Sequence, residues 1–421
     1  MDTPGRMPRI AYLTGIYPLV SLTFIQREIA ALRALGAEIE TVSCRFVSAD
    51  QFSGAPEQEA ARNTHYLLRA ARSPVALLSA QIAALRTPGR YFTALRRALG
   101  LRNPGLKSLV AHLAYFLEAT MMARFVRQKD IGHIHCHFST NGPAVAMLTR
   151  DLTGVPYSFT LHGPSDLYDP EGKRLGEKAA QARFVATISH YARSQLMLFS
   201  APEHWDRFRI IHCGVNPALY AGERTPRDDK EIRLIFVGRL APVKGIRVLF
   251  EALDDLFMRI PNLRLTLVGD GPDRARLEHE AARLGDRVRF TGYLSQAEVA
   301  ETLAEHDICV LPSFAEGVPV ILMEAMASGL PVIATQVAGV SELIEQGVSG
   351  LIAPPGDVKT LRNHIETLVH DPALRDRMGQ TGRKKVLAEF DVAGEAKRLA
   401  LLISGRAGAE IRPVLQDQRP D

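Results

Sequence analysis

Short apolar runs alternate with segments whose apolar residues recur every three or four positions along most of this chain. In the first half, Arg9–Thr14 is an apolar run closed by a turn at Gly15, and a helical period follows from Thr23 to Leu35. Ile39–Ser43, Ile131–Phe138, Tyr157–Leu161 and Phe184–Ile188 read as short buried strands with helical stretches between them. The polar stretch 221–231 (AGERTPRDDKE) has no apolar period, carries a proline and reads as a linker. Beyond it, Ile232–Gly238, Leu263–Gly269, Val288–Thr291, Ile308–Leu311 and Pro331–Ala334 are strand candidates, each followed by turn residues and then, usually, a helix-period segment. Strands alternating with helices predict an α/β protein with doubly wound parallel sheets. The expected division is a Rossmann-like domain over 1–220, the linker, a second over 232–390, a helix over 391–406 able to pack back on the first domain, and a frayed tail over 407–421. A cleft between the two domains is expected. Because open α/β sheets bind ligands beyond the carboxyl ends of their strands, the strand-end residues are the ones to question.

Composition narrows the class. The 421 residues correspond to two or three domains at about 150 residues each. With 46% hydrophobic and 23% charged residues, the chain has enough apolar surface to offset the entropy of ordering, which excludes a mainly disordered protein. The regular helical stretches argue against an all-β secreted module. Cys44, Cys136, Cys213 and Cys309 form no CxxC pair, so neither a zinc site nor a disulfide framework is read, and a reducing compartment is expected. The opening MDTPGRMPRIAYLTG is too short in its apolar run for a signal peptide. Ser108–Ala123, the most apolar long stretch, contains His112 and Glu118 and falls short of the roughly 20 apolar residues of a spanning helix. A cytoplasmic, non-spanning protein is therefore expected.

Candidate chemistry sits at the predicted strand ends. In RLIFVGRLAPVKG, a strand ends at Gly238, and Arg239 and Lys244 lie on a loop before Gly245 opens a helix. Two cations there suit a diphosphate, Arg as a fork and Lys as a point charge, with the helix N-terminus adding its positive end. Two solvated surface cations are the alternative. The loop has no GxxxxGK[ST] and is not a P-loop. VGDGP at 268–272 is a second glycine turn, with packing as its expected role.

In PSFAEGVPVILMEAMASGLPVIAT (312–335), Glu316 ends a loop, Gly317 allows close backbone approach and Pro319 suits a first helical turn. Glu324 follows eight residues after Glu316. Were the whole span helical, the two carboxylates would stand about 12 Å apart along the axis, wider than the roughly 5–9.5 Å of a glycosidase acid pair. They fit contacts to two parts of an elongated ligand, or simply a solvated face. HIHCHF (133–138) would turn His133, His135 and His137 to one face and Ile134, Cys136 and Phe138 to the other. No carboxylate or cysteine is expected to help on that face, so buried strand histidines are read there and no metal site.

FVGRLAPVKG, LVGDGP, FTGYLS and SFAEGVPVILMEAMASGLPVIAT, in this order and spacing, resemble the retaining, GT-B-fold nucleotide-sugar glycosyltransferases of family four. The E-x7-E element is the most specific part, and the resemblance is strongest over 232–357. Looser elements in the first half are the Gly15 turn, TFIQREIAAL (23–32), HIHCHF, SFTLHGPSDLY (158–168) and IIHCGVN (210–216), which look most like bacterial exopolysaccharide and colanic-acid transferases. The resemblance implies that Arg239, Lys244 and Gly15 serve the donor diphosphate, that Glu324 binds the ribose, and that Tyr293 and Leu294 face the nucleobase. It implies that Glu316 contacts the transferring sugar together with the backbone of Gly317, Val318 and Pro319, and that His162 lies near sugar and acceptor; Glu316 and His162 are the catalytic pair. It supplies no metal and no cofactor: the UDP- or GDP-linked sugar is a co-substrate. The relatives in question usually carry Ser-Glu-Thr-Phe after the first turn, and Ser21-Leu22-Thr23-Phe24 lacks that acid, which bears on the acceptor.

Charge placement adds a partner. The net charge is +5, but segment 60–129 holds twelve Lys and Arg against one acid, Glu118, with apolar residues interleaved at helical spacing. Such a surface reads as attachment to an anionic membrane, with a solvated face as the alternative. No helix-turn-helix, zinc finger or aromatic RNP pattern points to nucleic acid. The expected activity is transfer of a sugar, with retention, to a hydroxyl of a saccharide acceptor, lipid-linked, in bacterial polysaccharide synthesis. A GT-B-fold nucleotide-sugar epimerase and a non-catalytic nucleotide-sugar-binding protein at a membrane assembly are the alternatives.

Overall fold

The computed structural model describes residues 7–19, 22–47, 55–220 and 230–406. Two compact units result, residues 1–212 with 393–421 and residues 213–392. The first division falls eight residues before the expected boundary, because 213–220 packs with the second unit: Val215 N–H donates to Phe390 O (2.9 Å), and Val392 N–H donates to Val215 O (3.0 Å). Residues 221–229 of the expected linker, Ser21 and the 407–421 tail lie outside the described residues.

The first unit holds a seven-stranded sheet: β1 (Ile10–Ile16), β2 (Ile39–Arg45), β3 (Thr64–Tyr66), β4 (His133–His137), β5 (Tyr157–Leu161), β6 (Val185–Thr187) and β7 (Phe208–Ile210). Their order is β3-β2-β1-β4-β5-β6-β7, and every pairing is parallel. Alternation along β1 sorts the two cores. Ile10 and Tyr12 pack with Ile25, Ile29 and Leu32 of the helix Thr23–Ala34 and with Ala396, Leu399 and Ile403 of the helix Val392–Ser404. Ala11 and Leu13 face the other layer, with Met122 and Phe125 of the helix Leu106–Gln128 and Val145 and Leu148 of the helix Asn141–Thr153. The helix Leu106–Gln128 is longer than its sequence pattern indicated, and its most apolar window is half buried inside this unit. Burying each large aliphatic side chain contributes about 2–3 kcal/mol, which fixes the strand faces and hence the register.

The second unit holds six parallel strands: β8 (Ile232–Val237), β9 (Leu263–Val268), β10 (Val288–Gly292), β11 (Ile308–Leu311), β12 (Val332–Thr335) and β13 (Gly350–Ala353). The order is β10-β9-β8-β11-β12-β13. The missed strands β3, β7 and β13 have three or four residues each, and in β3 (THY) and β7 (FRI) polar residues break the apolar run. In both sheets the winding reverses beside the first strand, between β1 and β4 and between β8 and β11.

Candidate functional site

In the second unit, the loops after β8 and β11 flank the reversal of strand order, the place where such sheets leave a crevice. Glycines let these loops approach one another. Gly245, at φ +63°, caps the helix Ile246–Arg259, and a Cβ there would stand 2.0 Å from Pro312 O. Gly269, at φ +128° in the loop after β9, likewise leaves no room for a Cβ against Gly238 O after β8. Phe314 N–H donates to Val243 O across the two loops (2.8 Å). The result is a contact between residues 72 apart in sequence: Lys244 Nζ donates to Glu316 Oε1 at 2.6 Å, and Ser313 Oγ donates to the same oxygen at 2.6 Å. Both members of the pair are mostly enclosed, so the charges are only partly screened and the pair orients both side chains.

The E-x7-E segment is not one helix. Glu316 lies in a loop and the helix runs over Val320–Ala327, with Pro319 as its extended N-cap residue (φ −67°, ψ 119°) instead of a member of its first turn. Glu324 is buried within that helix, beside Cys309, whose thiol burial lifts to about 12, with the Glu324 charge adding to the effect. Gly317 O accepts from Gly339 N–H, and Val318 is buried. Arg239 and Tyr293 are exposed, while Leu294 is half-buried. The structure therefore brings Lys244 and Glu316 together, and it carries Arg239 on the loop that bears Lys244.

In the first unit, Gly15 is part of β1 and not of a turn, since the strand continues to Ile16. A Cβ on Gly15 would lie 2.7 Å from Asn141 Oδ1, at the start of the helix that follows β4. His162 follows β5, and its backbone N–H donates to the buried Asp166 Oδ2 (2.8 Å). Asp166 also accepts from Ser139 N–H (2.6 Å); burial raises its carboxyl while these bonds pull the other way.

His133, His135 and His137 do share one face of β4, and they are fully buried. Two expectations about this segment are corrected. Phe138 does not join Ile134 and Cys136: at φ +69° it leaves the strand and packs with Phe24 and His162. A carboxylate does reach the histidine face, because the helix Thr23–Ala34 brings Glu28 there. Its Oε1 lies 3.3 Å from His137 Nε2 and 4.0 Å from His135 Nε2, and it accepts from the Tyr12 hydroxyl at 2.7 Å. Ligand atoms of Glu28, His135 and His137 lie within 4.8 Å of one another. Ser158 bridges His133 Nε2 (2.7 Å) and His135 Nδ1 (2.8 Å), and Thr160 meets His135 Nε2 (3.1 Å). His137 Nδ1 is 2.7 Å from His162 Nε2. Burial holds His135 and His137 at about 3, and it lowers His133 and His162 well below the ordinary imidazole value.

Tyr12 and Glu28 were missed as site residues. The available signal was an acid one helical turn after Phe24, beside the buried stripe Ile25, Ile29 and Leu32.

Comparison with known proteins agrees with this architecture. Residues 23–219 match the Glycosyltransferase Family 4 model, and residues 222–385 match the model for Glycosyl transferases group 1. An alpha-D-kanosaminyltransferase of Streptomyces kanamyceticus is 33% identical over 300 residues, which is 65% of this chain and 77% of that protein. The amylovoran biosynthesis glycosyltransferase AmsK of Erwinia amylovora is 26% identical over 94% of this chain and 99% of its own. A putative colanic acid biosynthesis glycosyltransferase, WcaL of Salmonella typhimurium, is 25% identical over the same shares. Among solved structures, a sucrose-phosphate synthase from Thermosynechococcus elongatus has a TM-score of 0.72 at 22% identity, covering 94% of this chain and 99% of that one. Anabaena HepE in complex with UDP-glucose has a TM-score of 0.69 at 18% identity, covering 94% of this chain and all of that one. Two doubly wound parallel sheets of this kind are the GT-B architecture of glycosyltransferases. The chain belongs to glycosyltransferase family 4.

Proposed function

We propose that this glycosyltransferase moves a sugar from a nucleoside diphosphate donor to a hydroxyl of a lipid-linked saccharide, with retention of configuration, in bacterial exopolysaccharide synthesis. The observation that carries the reading is the Lys244–Glu316 pair beside the strand reversal of the second unit. Lys244 and Arg239 hold the donor diphosphate, so its charge is met by the chain's own cations and no metal is needed. Glu324 binds the ribose, and Tyr293 and Leu294 bind the base. Glu316, with the backbone of Gly317, Val318 and Pro319, holds the transferring sugar; Gly15 admits close backbone approach; His162 contacts the reacting saccharide. HepE's complexes with UDP and UDP-glucose favour uridine over guanosine in the donor.

The mechanism that fits is front-face return. A double displacement wants a carboxylate nucleophile backed by a second acid close by, and on this reading Glu324, buried within the helix Val320–Ala327, is given to the ribose and supplies no such partner to Glu316. The bond between the anomeric carbon and the phosphate oxygen breaks first, leaving an oxocarbenium-like sugar. The acceptor oxygen then bonds on the same face, and its proton passes to the departing phosphate oxygen. Preorganised cations at the leaving group favour the transition state over the ground state.

Attachment to an anionic membrane belongs to the same reading. Val75, Leu78, Ile82 and Leu85 form an exposed apolar row on the helix Pro74–Leu85, and Leu106, Val110, Leu113 and Leu117 form another on Leu106–Gln128. Exposed Arg86, Arg96, Arg102 and Lys107 lie in the same segment. An apolar row flanked by cations fits an anionic lipid interface.

A thermal-shift panel of nucleotides and nucleotide sugars, followed by analysis of the transfer product, tests the reading. The donor should raise the melting temperature by mass action, and the new linkage should keep the donor's configuration. Failure of every nucleotide to stabilise the protein would overturn the assignment, and an inverted linkage would overturn retention.

A further inference from the structure

We propose that Glu28 and His137 form a positioning relay that fixes the tautomer of His162, placing its proton on Nε2 and leaving Nδ1 as a hydrogen-bond acceptor. The inference rests on the role given to His162 above, but its geometry stands by itself. Three elements converge: the helix Thr23–Ala34 supplies Glu28, the end of β4 supplies His137, and the residue after β5 is His162. Tyr12 on β1 fixes the carboxylate from behind by donating to Oε1 at 2.7 Å. Phe24 packs its ring 4.6 Å from the centre of the His162 ring and limits that ring's motion.

Proton counting gives the direction. Burial keeps His137 and His162 neutral near pH 7, so each ring carries one N–H. The two rings share one hydrogen bond, His137 Nδ1 to His162 Nε2 at 2.7 Å. His137 Nε2 is enclosed, has no well-formed hydrogen bond, and faces Glu28 Oε1 at 3.3 Å. If the His137 proton sat on Nδ1, the lone pair of Nε2 would oppose a carboxylate oxygen in a dry interior, where such repulsion is weakly screened. With the proton on Nε2, the carboxylate accepts it. Nδ1 of His137 must then accept, so His162 donates from Nε2 and its Nδ1 holds a lone pair. On the role given to His162 above, this tautomer can accept a hydrogen bond at Nδ1 but cannot give one from it. The carboxylate–histidine–histidine chain orients the last ring as an outer partner orients a metal-bound histidine.

The test uses the full-length protein labelled with 15N at histidine. Long-range 1H–15N correlation at pH 7 reads each tautomer directly and needs no activity. Wild-type His162 should show the Nε2–H form. In Glu28→Leu the acceptor facing His137 Nε2 is gone, so His162 should no longer be held in the Nε2–H form and Nδ1–H should appear. Glu28→Gln keeps an oxygen to which Tyr12 and His137 Nε2 can both donate and should keep the wild-type tautomer, as should Tyr12→Phe, which keeps the carboxylate. In the transfer assay, Glu28→Leu should lower kcat about 10–100-fold, the usual range for loss of an orienting partner, with the donor KM nearly unchanged. An Nδ1–H or doubly protonated His162 in the wild type would overturn the relay, even if Glu28→Leu does not fold. So would a folded Glu28→Leu protein whose His162 stays wholly Nε2–H, or a stoichiometric metal bound by Glu28, His135 and His137. Absence of sugar transfer in the wild type, with the tautomers as expected, would overturn the function above and leave the relay standing.

Discussion

The two units assemble polar groups at equivalent places in their sheets by opposite means. In the second unit the chemistry lies on loops after β8 and β11, made close by Gly245 at a position a Cβ could not occupy, and its central pair is a formal cation and anion. In the first, the groups stand on strand interiors and a helix face, nearly all buried, and most are neutral rings joined through Ser158, Thr160 and one carboxylate. Loops can rearrange around a charged ligand, whereas side chains locked into a core hold one geometry before any ligand arrives. The comparison predicts that the first unit is costly to protonate and that the second is costly to mutate.

Acid should produce the largest difference. His65, His133, His135, His137 and His162 of the first unit are all held below the ordinary imidazole value by burial, against His306 alone in the second among the described residues. A group whose folded pKa is depressed takes up its proton first in the unfolded chain, so stability rises with pH across the gap. Here the gap runs from about 6.5 down to about 3 for His135 and His137. Each of these buried imidazoles therefore costs stability progressively as the pH falls below about 6.5. Asp166 and Glu118, raised by burial, act in the opposite sense and only at lower pH, near the carboxylate range. Peptide-resolved hydrogen exchange at pH 7 and pH 5.5 should show protection lost across β1, β4 and β5 well before β8 and β11. Equal loss in both sheets would remove histidine burial as the cause.

This contrast also explains what could be read beforehand. The loops of the second unit are short in sequence, so Arg239, Lys244, Glu316 and Glu324 stand in motifs visible by spacing, and the strands around them came out within a residue or two. What spacing could not show was that Lys244 meets Glu316, since that contact depends on how closely Gly245 lets two loops approach. In the first unit HIHCHF was legible as a buried strand, yet its chemistry depends on Tyr12 and Glu28, more than a hundred residues earlier. Parallel pairing of β1 with β4 sets Tyr12 beside His135; neither local period nor composition encodes that neighbour. The Gly15 turn failed for a related reason: glycine there serves a close approach to Asn141 within a strand, not a change of direction.

Mutation of the loop site should give the next largest effect. Lys244→Ala and Glu316→Gln should each lower turnover by about 10²–10³-fold, by analogy with removal of one oxyanion donor. The two share an oxygen–nitrogen contact at 2.6 Å, so their losses should not add; a coupling of about 0.5–3 kcal/mol is the range for residues in direct contact. Full additivity in the double mutant would mean that the pair does not act as a unit. Glu324→Gln, in a buried helix position, should mainly raise the donor KM, which separates binding of the ribose from handling of the sugar.

The smallest effect belongs to a surface that takes part in neither arrangement. Of the twelve cations in 60–129, Arg97 is unsuitable for testing, because it pairs with the largely buried Asp151 and ties two helices together. Arg124 is likewise committed to Ser79 and to the carbonyl of Ala76. Arg86 and Arg96 are exposed, so reversing them leaves the fold intact. Each cation near an anionic bilayer is worth about 1 kcal/mol, roughly a fivefold change in binding. Arg86→Glu with Arg96→Glu should therefore weaken sedimentation with phosphatidylserine-containing vesicles by at least 25-fold on the order-of-magnitude scale of that contribution. Raising salt should weaken the wild type too, since exposed charges are screened beyond about 10 Å at 0.1 M. The apolar rows give the second arm: Leu78→Ser and Val110→Ser, both at exposed positions, should weaken binding without changing its salt dependence, because they remove insertion and leave charge alone. Turnover on a soluble acceptor should stay at the wild-type rate in all of these variants. Vesicle binding indifferent to lipid charge and to salt would return 60–129 to an ordinary solvated face.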